Sequence, residues 1–162
     1  MTTDKHEKGD YVLGFAFNES ATEVALILRN RPHWQAGHLN GIGGHIEPGE
    51  TPFSAMIREF NEEAGLLTNQ WTRYAIMRRE DRLPRFTCHV FAAFLPHRTL
   101  LGTVVTGEAD QPIHIVNPNG LLPNVLSNLR WLIPLAMDRE PADGQPYDTT
   151  TRVGPCRDEW RI

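Results

Sequence analysis

The sequence predicts an α/β fold in which helices pack on a mixed β-sheet. Three observations predict it: several short runs rich in β-branched and aromatic residues, one amphipathic segment with clear helix start and stop signals, and a second apolar stripe with helical spacing. The 162 residues, 40% hydrophobic and 22% charged, suffice for one domain with a sizeable core. We therefore expect a single domain over 1–162, with a mobile polar leader over 1–10.

The first two strands are predicted on either side of a polar turn. YVLGFAFN over 11–18 and EVALILR over 23–29 are β-rich, and the residues between them are polar, so we expect a hairpin. Residues 30–43 hold four glycines and prolines and show no periodicity, which indicates a long loop. Long loops in compact domains often carry function.

The next element is a helix predicted over 52–64. Thr51 can cap it, Pro52 suits its first position, and Gly65 suits a left-handed C-terminal cap. One apolar stripe of this helix is expected to pack on the sheet. The stripe consists of Phe53, Met56, Ile57, Phe60 and Ala64.

The second half of the chain continues the sheet and adds a helix. Three further strands are predicted, over 71–80, 85–96 and 111–116, the last after a Gly- and acid-containing loop. An apolar stripe with helical spacing runs from Leu122 to Met137, and Pro134 is expected to kink or restart that helix. Residues 139–162 are rich in Pro, Gly and polar residues. They are expected to add one edge strand around YDTTTRV or to form a mobile tail.

Charge and cysteine content exclude several classes of function. The net charge of −4 offers no broad attraction for a nucleic acid polymer or an anionic membrane. Cys88 and Cys156, the only cysteines, are too few for a disulfide scaffold. The N-terminus lacks the apolar core of a signal peptide, and no apolar run is long enough for a membrane span. We therefore expect a cytoplasmic protein.

Negative charge is concentrated at the end of the predicted helix. Glu59, Glu62 and Glu63 occupy adjoining positions of one face, where the helix dipole also disfavours acids. Each like-charge pair costs roughly 0.2–0.5 kcal/mol. Arg58 is the single obligate cation within 44–66. A solvated acidic face is one interpretation, but clustered carboxylates are also the ligands that Mg²⁺ or Mn²⁺ prefers, which predicts a site for a metal–nucleotide.

The spacing of these residues resembles the signature of the Nudix hydrolase superfamily, GX5EX7REUXEEXGU, where U is a bulky apolar residue. Here Gly44 is followed after five residues by Glu50 and, after seven more, by REFNEEAGL over 58–66. The resemblance implies an α/β/α sandwich and the hydrolysis of a nucleoside diphosphate linked to another moiety.

The resemblance also implies roles for individual residues. Acids matching Glu59 and Glu63, with the backbone carbonyl matching Gly43, hold Mg²⁺ or Mn²⁺ in that family. Glu62 is then a ligand or the general base, and the base is open between Glu59, Glu62 and a further acid. An arginine matching Arg58 is tied to the acid matching Glu50, a pairing that would fix the loop against the helix. Candidates for an additional metal-binding acid are Glu108 and, alternatively, Asp110.

Substrate recognition is expected to come from residues outside this signature. HLNGIGGHIEPGE over 38–50 is similar to a segment of 8-oxo-dGTP diphosphatases and other MutT-type enzymes, in which the residue matching Asn40 contacts the base. Leu39, Ile42 and His45 depart from that pattern. Arg29 and Arg31 are candidates for binding phosphates, and Trp34 for stacking on the base. Candidates for a second base contact are Asn124 and Asn128.

The sequence therefore predicts a Mg²⁺- or Mn²⁺-dependent hydrolase that cleaves the pyrophosphate linkage of a nucleoside or deoxynucleoside triphosphate to monophosphate and pyrophosphate. Oxidised purine nucleotides such as 8-oxo-dGTP form one subclass of these substrates. The alternatives are a hydrolase of a sugar nucleotide or dinucleoside polyphosphate and a non-catalytic nucleotide-binding module. A small-molecule nucleotide is the expected partner, and monomer and homodimer both remain open.

Overall fold

One mixed sheet organises the computed structural model, which describes residues 9–79, 85–106, 110–138 and 145–150. Its strands are β1 (Gly9–Asn18), β2 (Val24–Leu28), β3 (Leu39–Asn40), β4 (Thr72–Arg79), β5 (Phe86–Leu95), β6 (Ile113–Val116) and β7 (Tyr147–Thr150). The helices are α1 (Pro52–Ala64), α2 (His97–Thr106) and α3 (Leu129–Met137), and a 3-10 turn spans His33–Gln35.

The strand order explains why the sheet is mixed. It runs β3, β2, β1, β5, β4, β7. β6 lies off this order and pairs with β2, the strand with which β3 also pairs. β1 and β2 form the predicted antiparallel hairpin, and β4 and β5 are also antiparallel. β1 pairs in parallel with β5 from Gly9 opposite Phe86 to Asn18 opposite Leu95, and β7 pairs in parallel with β4.

Helices cover both faces of this sheet, which confirms the predicted α/β/α sandwich. Alternate residues of β1 point to opposite faces. Phe15 and Phe17 pack with the α3 residues Leu132 and Ile133, whereas Ala16 belongs to the core cluster that α1 and α2 cover. Both faces of β1 are therefore buried. Among the described residues, no helix is long and apolar enough to cross a membrane.

Helix α1 begins and ends at the predicted residues. The Thr51 hydroxyl accepts a hydrogen bond from the Ser54 N–H at 3.1 Å, and Gly65 adopts the left-handed conformation with φ 69°. The predicted apolar stripe was wrong at Phe53, which is 41% exposed. Ala55 is buried instead of Phe53, because the inward face of the helix is the one that also carries the buried Glu63.

Helix α2 was missed, since a loop was expected between the strands now labelled β5 and β6. Gly102 and the β-branched residues beside it lower the intrinsic helix propensity of this segment. Burial outweighs that preference, because Leu100 and Thr103 are fully buried and the Thr103 hydroxyl donates to the Leu100 carbonyl at 2.7 Å.

The helix predicted from Leu122 onward begins only at Leu129. Residues 124–126 instead lie beside β3, where Leu39 N–H donates to Asn124 O at 2.9 Å and Leu126 N–H donates to Leu39 O at 3.0 Å. These backbone groups are already paired with another segment, so they do not build a helical turn. The helix then continues through Pro134 to Met137.

At the N-terminal end of the described chain the predicted leader was wrong in part, and at the C-terminal end one of the two predicted alternatives is present. Gly9 and Asp10, expected in a mobile leader, are part of β1 and pair with β5. The edge strand that was one alternative for the tail is present as β7. Residues 1–8 and 151–162 lie outside the described residues.

Candidate active site

A glycine-containing segment runs alongside β1 and forms one wall of the site. Gly14 N–H donates to Ile42 O at 2.7 Å, and Val12 N–H donates to Gly44 O at 2.9 Å. A Cβ atom on Gly43 would lie 2.1 Å from the Val12 carbonyl oxygen, so only glycine fits this approach. The segment therefore holds the backbone of Gly43 and Gly44 against β1.

The last turns of α1 meet this segment. A Cβ atom on Gly44 would lie 2.6 Å from Glu59 Oε1, so the missing side chain leaves room for that carboxylate. Burial raises the pKa of Glu59, although the hydrogen bond from Arg58 acts in the opposite direction. The side chain of Glu62 is 53% exposed. Glu59 is half-buried, so Glu62 is the more solvent-accessible of these two carboxylates.

Arg58 connects the helix to the preceding loop. Its guanidinium binds Glu50 with two hydrogen bonds, Nε to Oε1 at 2.8 Å and Nη2 to Oε2 at 2.9 Å, so the predicted contact is present. Nη2 also donates to the His45 carbonyl at 2.9 Å. Nη1 reaches Glu59 at 2.9 Å and Glu62 at 3.1 Å. The bond from Arg58, followed by one from the Glu47 backbone, lowers the pKa of Glu50 to about 2.

A second cation, Arg29, which lies outside the segment 44–66, pairs with the acid cluster. Arg29 Nη1 donates to Glu63 Oε1 at 2.5 Å, and Nη2 donates to the Gly43 carbonyl at 2.9 Å. Gly43 N–H donates to Glu63 Oε2 at 2.9 Å. Both charged side chains are 11% exposed. Burial raises the pKa of Glu63, while Arg29 and the Gly43 N–H lower it, so the pair only partly offsets desolvation.

Replacing Glu63 by Gln is expected to destabilise the metal-free protein. The substitution leaves the buried guanidinium of Arg29 without its counter-charge, which we expect to lower the free energy of unfolding by roughly 1–3 kcal/mol. Urea unfolding in the presence of a chelator measures this change. Glu62→Gln is the matched control, because its side chain is half exposed and its loss should leave stability nearly unchanged. Equal stability of the two variants would contradict a structural role for the Arg29–Glu63 pair.

The oxygen atoms at this place fit a hard divalent cation. Three carboxylates, those of Glu59, Glu62 and Glu63, surround the end of the helix, and the Gly43 carbonyl adds a neutral oxygen. In the described ranges no three His, Cys, Asp or Glu side chains stand as a ready metal-ligand group. The guanidinium groups of Arg29 and Arg58 bind the same oxygens. A cation would therefore have to displace Arg29 from Glu63 and Gly43.

A cavity of about 460 Å³ opens beside these groups, a size suited to a small-molecule ligand. It joins the acid cluster to the loop that follows β2. Its lining includes Tyr11, Val12, Leu13, Arg29, Arg31, Pro32, Gln35, Asn40, Gly43, Gly44, His45, Glu59, Glu62, Glu63 and Gln111.

Three of the predicted substrate-binding residues line this cavity: Arg29, Arg31 and Asn40. Trp34 and Asn128, which were also predicted to bind substrate, are not among the lining residues of this cavity in the described chain. Trp34 is half-buried on the 3-10 turn, where the neighbouring Gln35 faces the cavity instead. Asn128 is buried at the start of α3, and its carbonyl accepts the Leu132 N–H at 3.0 Å.

Of the two acids predicted as an additional metal ligand, the structure describes only Asp110. Glu108 lies outside the described residues. Asp110 is exposed and does not line the cavity, because its carboxylate is held by Asn30 at 3.2 Å and Arg31 at 3.1 Å. The hydrogen bond from Asn30 is the main cause of the lowered pKa of Asp110. Asn124, the other candidate for a base contact, donates to the Gly37 carbonyl at 3.2 Å.

Four of the lining residues that were not predicted as site residues carry polar side chains: Tyr11, Gln35, His45 and Gln111. The rings of Tyr11 and His45 lie 4.3 Å apart between centroids, on β1 and on the segment paired with it. That pairing joins residues distant in sequence, so no local signal predicts it. For Gln35 the available signal was its place in the long loop, two residues from Gly37.

Comparisons with known proteins agree with this architecture. A family model described as the NUDIX domain matches residues 8–148. The structure of a MutT NUDIX hydrolase from Burkholderia pseudomallei is similar over 80% of this chain and 98% of its own, with a TM-score of 0.62 and 18% identity. A structure from a study of MutT from Aliivibrio salmonicida and Vibrio cholerae covers 79% and 98%, with a TM-score of 0.57 and 22% identity.

A third solved structure is similar to this chain over only part of its own length. A MutT/nudix family protein from Enterococcus faecalis is similar over 72% of this chain, with a TM-score of 0.55 and 20% identity, but this chain covers only 46% of that protein. At these identities the solved structures establish the fold alone. A search of curated proteins found no match.

Proposed function

Because the chain belongs to the NUDIX domain family, whose hydrolases act on nucleoside diphosphate derivatives and generally use divalent metal ions, we propose a specific activity within that class. The protein is a Mg²⁺- or Mn²⁺-dependent hydrolase of nucleoside or deoxynucleoside triphosphates. It releases the monophosphate and pyrophosphate.

One observation carries this proposal. The same cavity is lined by the acid cluster of α1, by the cations Arg29 and Arg31, and by the amide side chains of Gln35 and Asn40. Carboxylates suit a divalent cation, guanidinium groups suit phosphates, and amides suit the polar edge of a base. These three chemistries match the three parts of a metal–nucleoside triphosphate.

The residues proposed to hold the metal are Glu59 and Glu63 with the Gly43 carbonyl, and Glu62 lies beside them. When bound, the cation neutralises phosphate oxygens and lowers the pKa of a water molecule. The chain's own residues then position the groups that react. Arg29, once released from Glu63, and Arg31 bind the phosphate chain and keep it in place for in-line attack.

The proposed reaction is the attack of one water oxygen on phosphorus, with cleavage of the bond to the pyrophosphate leaving group. The proton of that water passes to a carboxylate. Glu62 is the proposed acceptor, because its side chain is the most exposed of the three acids and therefore reaches solvent in the cavity. Glu59 and Glu63, whose side chains are 12% and 11% exposed, are the proposed ligands.

A panel of nucleotides tests this proposal. The purified protein is incubated with Mg²⁺ and with nucleoside triphosphates, sugar nucleotides or dinucleoside polyphosphates, and the products are separated by ion-exchange chromatography. We expect monophosphate and pyrophosphate from triphosphates. Turnover confined to another class would replace the proposed substrate, and binding without turnover would indicate a non-catalytic module.

Addition of Mg²⁺ or Mn²⁺ is expected to stabilise the protein even without nucleotide. A cation that binds only the folded state at about a hundred times its dissociation constant adds about 2.7 kcal/mol to the free energy of unfolding. Thermal melting with and without a chelator measures this gain. The gain should be small in Glu63→Gln and intact in Glu47→Gln, whose exposed side chain lies outside the cavity. An unchanged melting temperature at millimolar metal would contradict the proposed ligands.

A further inference from the structure

Two buried carboxamides, those of Gln35 and Asn40, line the cavity next to each other. They are 5% and 4% exposed, and Asn40 Nδ2 donates to Gln35 Oε1 at 3.2 Å. An amide side chain has an accepting end and a donating end, and the two are exchanged when it rotates by half a turn. Which end meets a ligand therefore depends on what fixes the rotation.

The backbone fixes the rotation of both amides. The N–H of Gly41 can only donate, and it lies 2.8 Å from Asn40 Oδ1. The oxygen of Asn40 is therefore the end that faces Gly41, and its Nδ2 faces Gln35. Since Nδ2 can only donate, the oxygen of Gln35 faces Asn40 in turn. The remaining end of Gln35 is its amino group, Nε2, which donates to no residue in the described part of the chain.

Both residues stand on backbone that is itself held in place. Asn40 belongs to β3 and pairs with Ile27 of β2. Gln35 ends the 3-10 turn, where its N–H donates to Pro32 O at 2.8 Å and its carbonyl accepts the His38 N–H at 2.9 Å. The Nε2 donor is therefore presented to the cavity by a preorganised pair of side chains.

We propose that Gln35 makes the site selective for nucleotides whose base carries a carbonyl at purine C6 or pyrimidine C4, namely guanine and uracil or thymine, over adenine and cytosine, which carry an amino group there. The proposal rests on the proposed function, because it assigns the base that the same cavity accepts. Guanine O6 and thymine O4 accept hydrogen bonds, whereas adenine N6 and cytosine N4 are donors at the corresponding positions. An amino group facing Nε2 places two donors together and leaves both without partners. Asn40 acts as a positioning residue, since it orients Gln35.

Competition between matched bases tests this selectivity. The specificity constant kcat/KM is measured with Mg²⁺ for GTP against ATP and for UTP against CTP, and dissociation constants are measured by calorimetry with analogues that carry a non-hydrolysable α,β-linkage. We expect a preference for the carbonyl base of about tenfold or more in each pair. Gln35→Glu keeps the shape but replaces the donor by an acceptor, so both preferences should reverse. Gln35→Met removes the donor without adding charge and should abolish both.

Gln70→Glu is the matched control, because it adds the same charge at an exposed position outside the cavity and should keep the wild-type ranking. If Gln35→Glu does not fold, as judged by circular dichroism, Gln35→Met still decides the result. Nucleotide turnover with no carbonyl preference, or an unchanged ranking in Gln35→Met, overturns this inference and leaves the proposed function standing. If no nucleotide is bound or cleaved, the proposed function fails and the inference fails with it.

Discussion

Replacing Glu62 by Gln is expected to lower kcat by about a hundred- to ten-thousand-fold with little change in stability. The substitution keeps the size and one oxygen of the side chain, but it removes the negative charge that can accept a proton or bind a cation. Stability should be nearly unchanged because this side chain is 53% exposed and its one described ion pair, with Arg58, is a solvent-accessible i,i+4 contact. Steady-state kinetics and thermal melting of the same preparation measure both effects.

The control for this result is Glu47→Gln, the same chemical change on an exposed loop residue that does not line the cavity. It should keep wild-type kcat. A Glu62→Gln enzyme with near-normal turnover would exclude this carboxylate as base and as essential ligand. A loss of activity accompanied by a large loss of stability would instead indicate that Glu62 supports the fold.

The sequence predicts helix α1 well because the residues that define its ends are close together in the chain. Thr51 bonds Ser54 three residues later, and Gly65 bonds Asn61 four residues earlier. Such interactions depend on local spacing alone. The paired strands of the hairpin were predictable for a similar reason, since a short polar turn separates two β-rich runs.

Other elements depend on contacts that no local pattern contains. Helix α2 forms despite Gly102 because Leu100 is buried against the sheet. The start of α3 is delayed because residues 124–126 pair with Leu39, more than eighty positions earlier in the chain. In both cases a distant partner outweighs the propensity of the segment.

The candidate site also combines residues whose placement follows from local spacing with residues whose placement depends on distant contacts. The spacing of the acids places Glu59, Glu62 and Glu63 on one helix, and that much follows from helical geometry. The pairing of Glu63 with Arg29 does not follow from helical geometry, because Arg29 lies 34 positions away, just after the end of β2. The orientation of Gln35 is equally beyond the sequence, since it depends on a chain of hydrogen bonds that exists only in the folded loop.

Arg58→Lys, a substitution that conserves charge, is expected to lower kcat by about a hundredfold, an effect typical of a misplacement of about 1 Å at a reacting group. The guanidinium donates to Glu50 and His45 on the loop side and to Glu59 and Glu62 on the helix side. A lysine ammonium offers three donors from one nitrogen and cannot span both sides. The carboxylates of the helix would then lose their fixed position relative to the loop.

The division of this effect between kcat and KM identifies Arg58 as a positioning residue. Its described contacts are to the acid cluster and the loop, not to the amide end of the cavity, so KM for a triphosphate should change little while kcat falls. The free energy of unfolding should also fall, by roughly 1–3 kcal/mol, because charge-assisted hydrogen bonds are lost. Arg98→Lys, at an exposed position of α2, should alter neither quantity. If Arg58→Lys instead raises KM and leaves kcat unchanged, the arginine binds substrate and does not organise the acids.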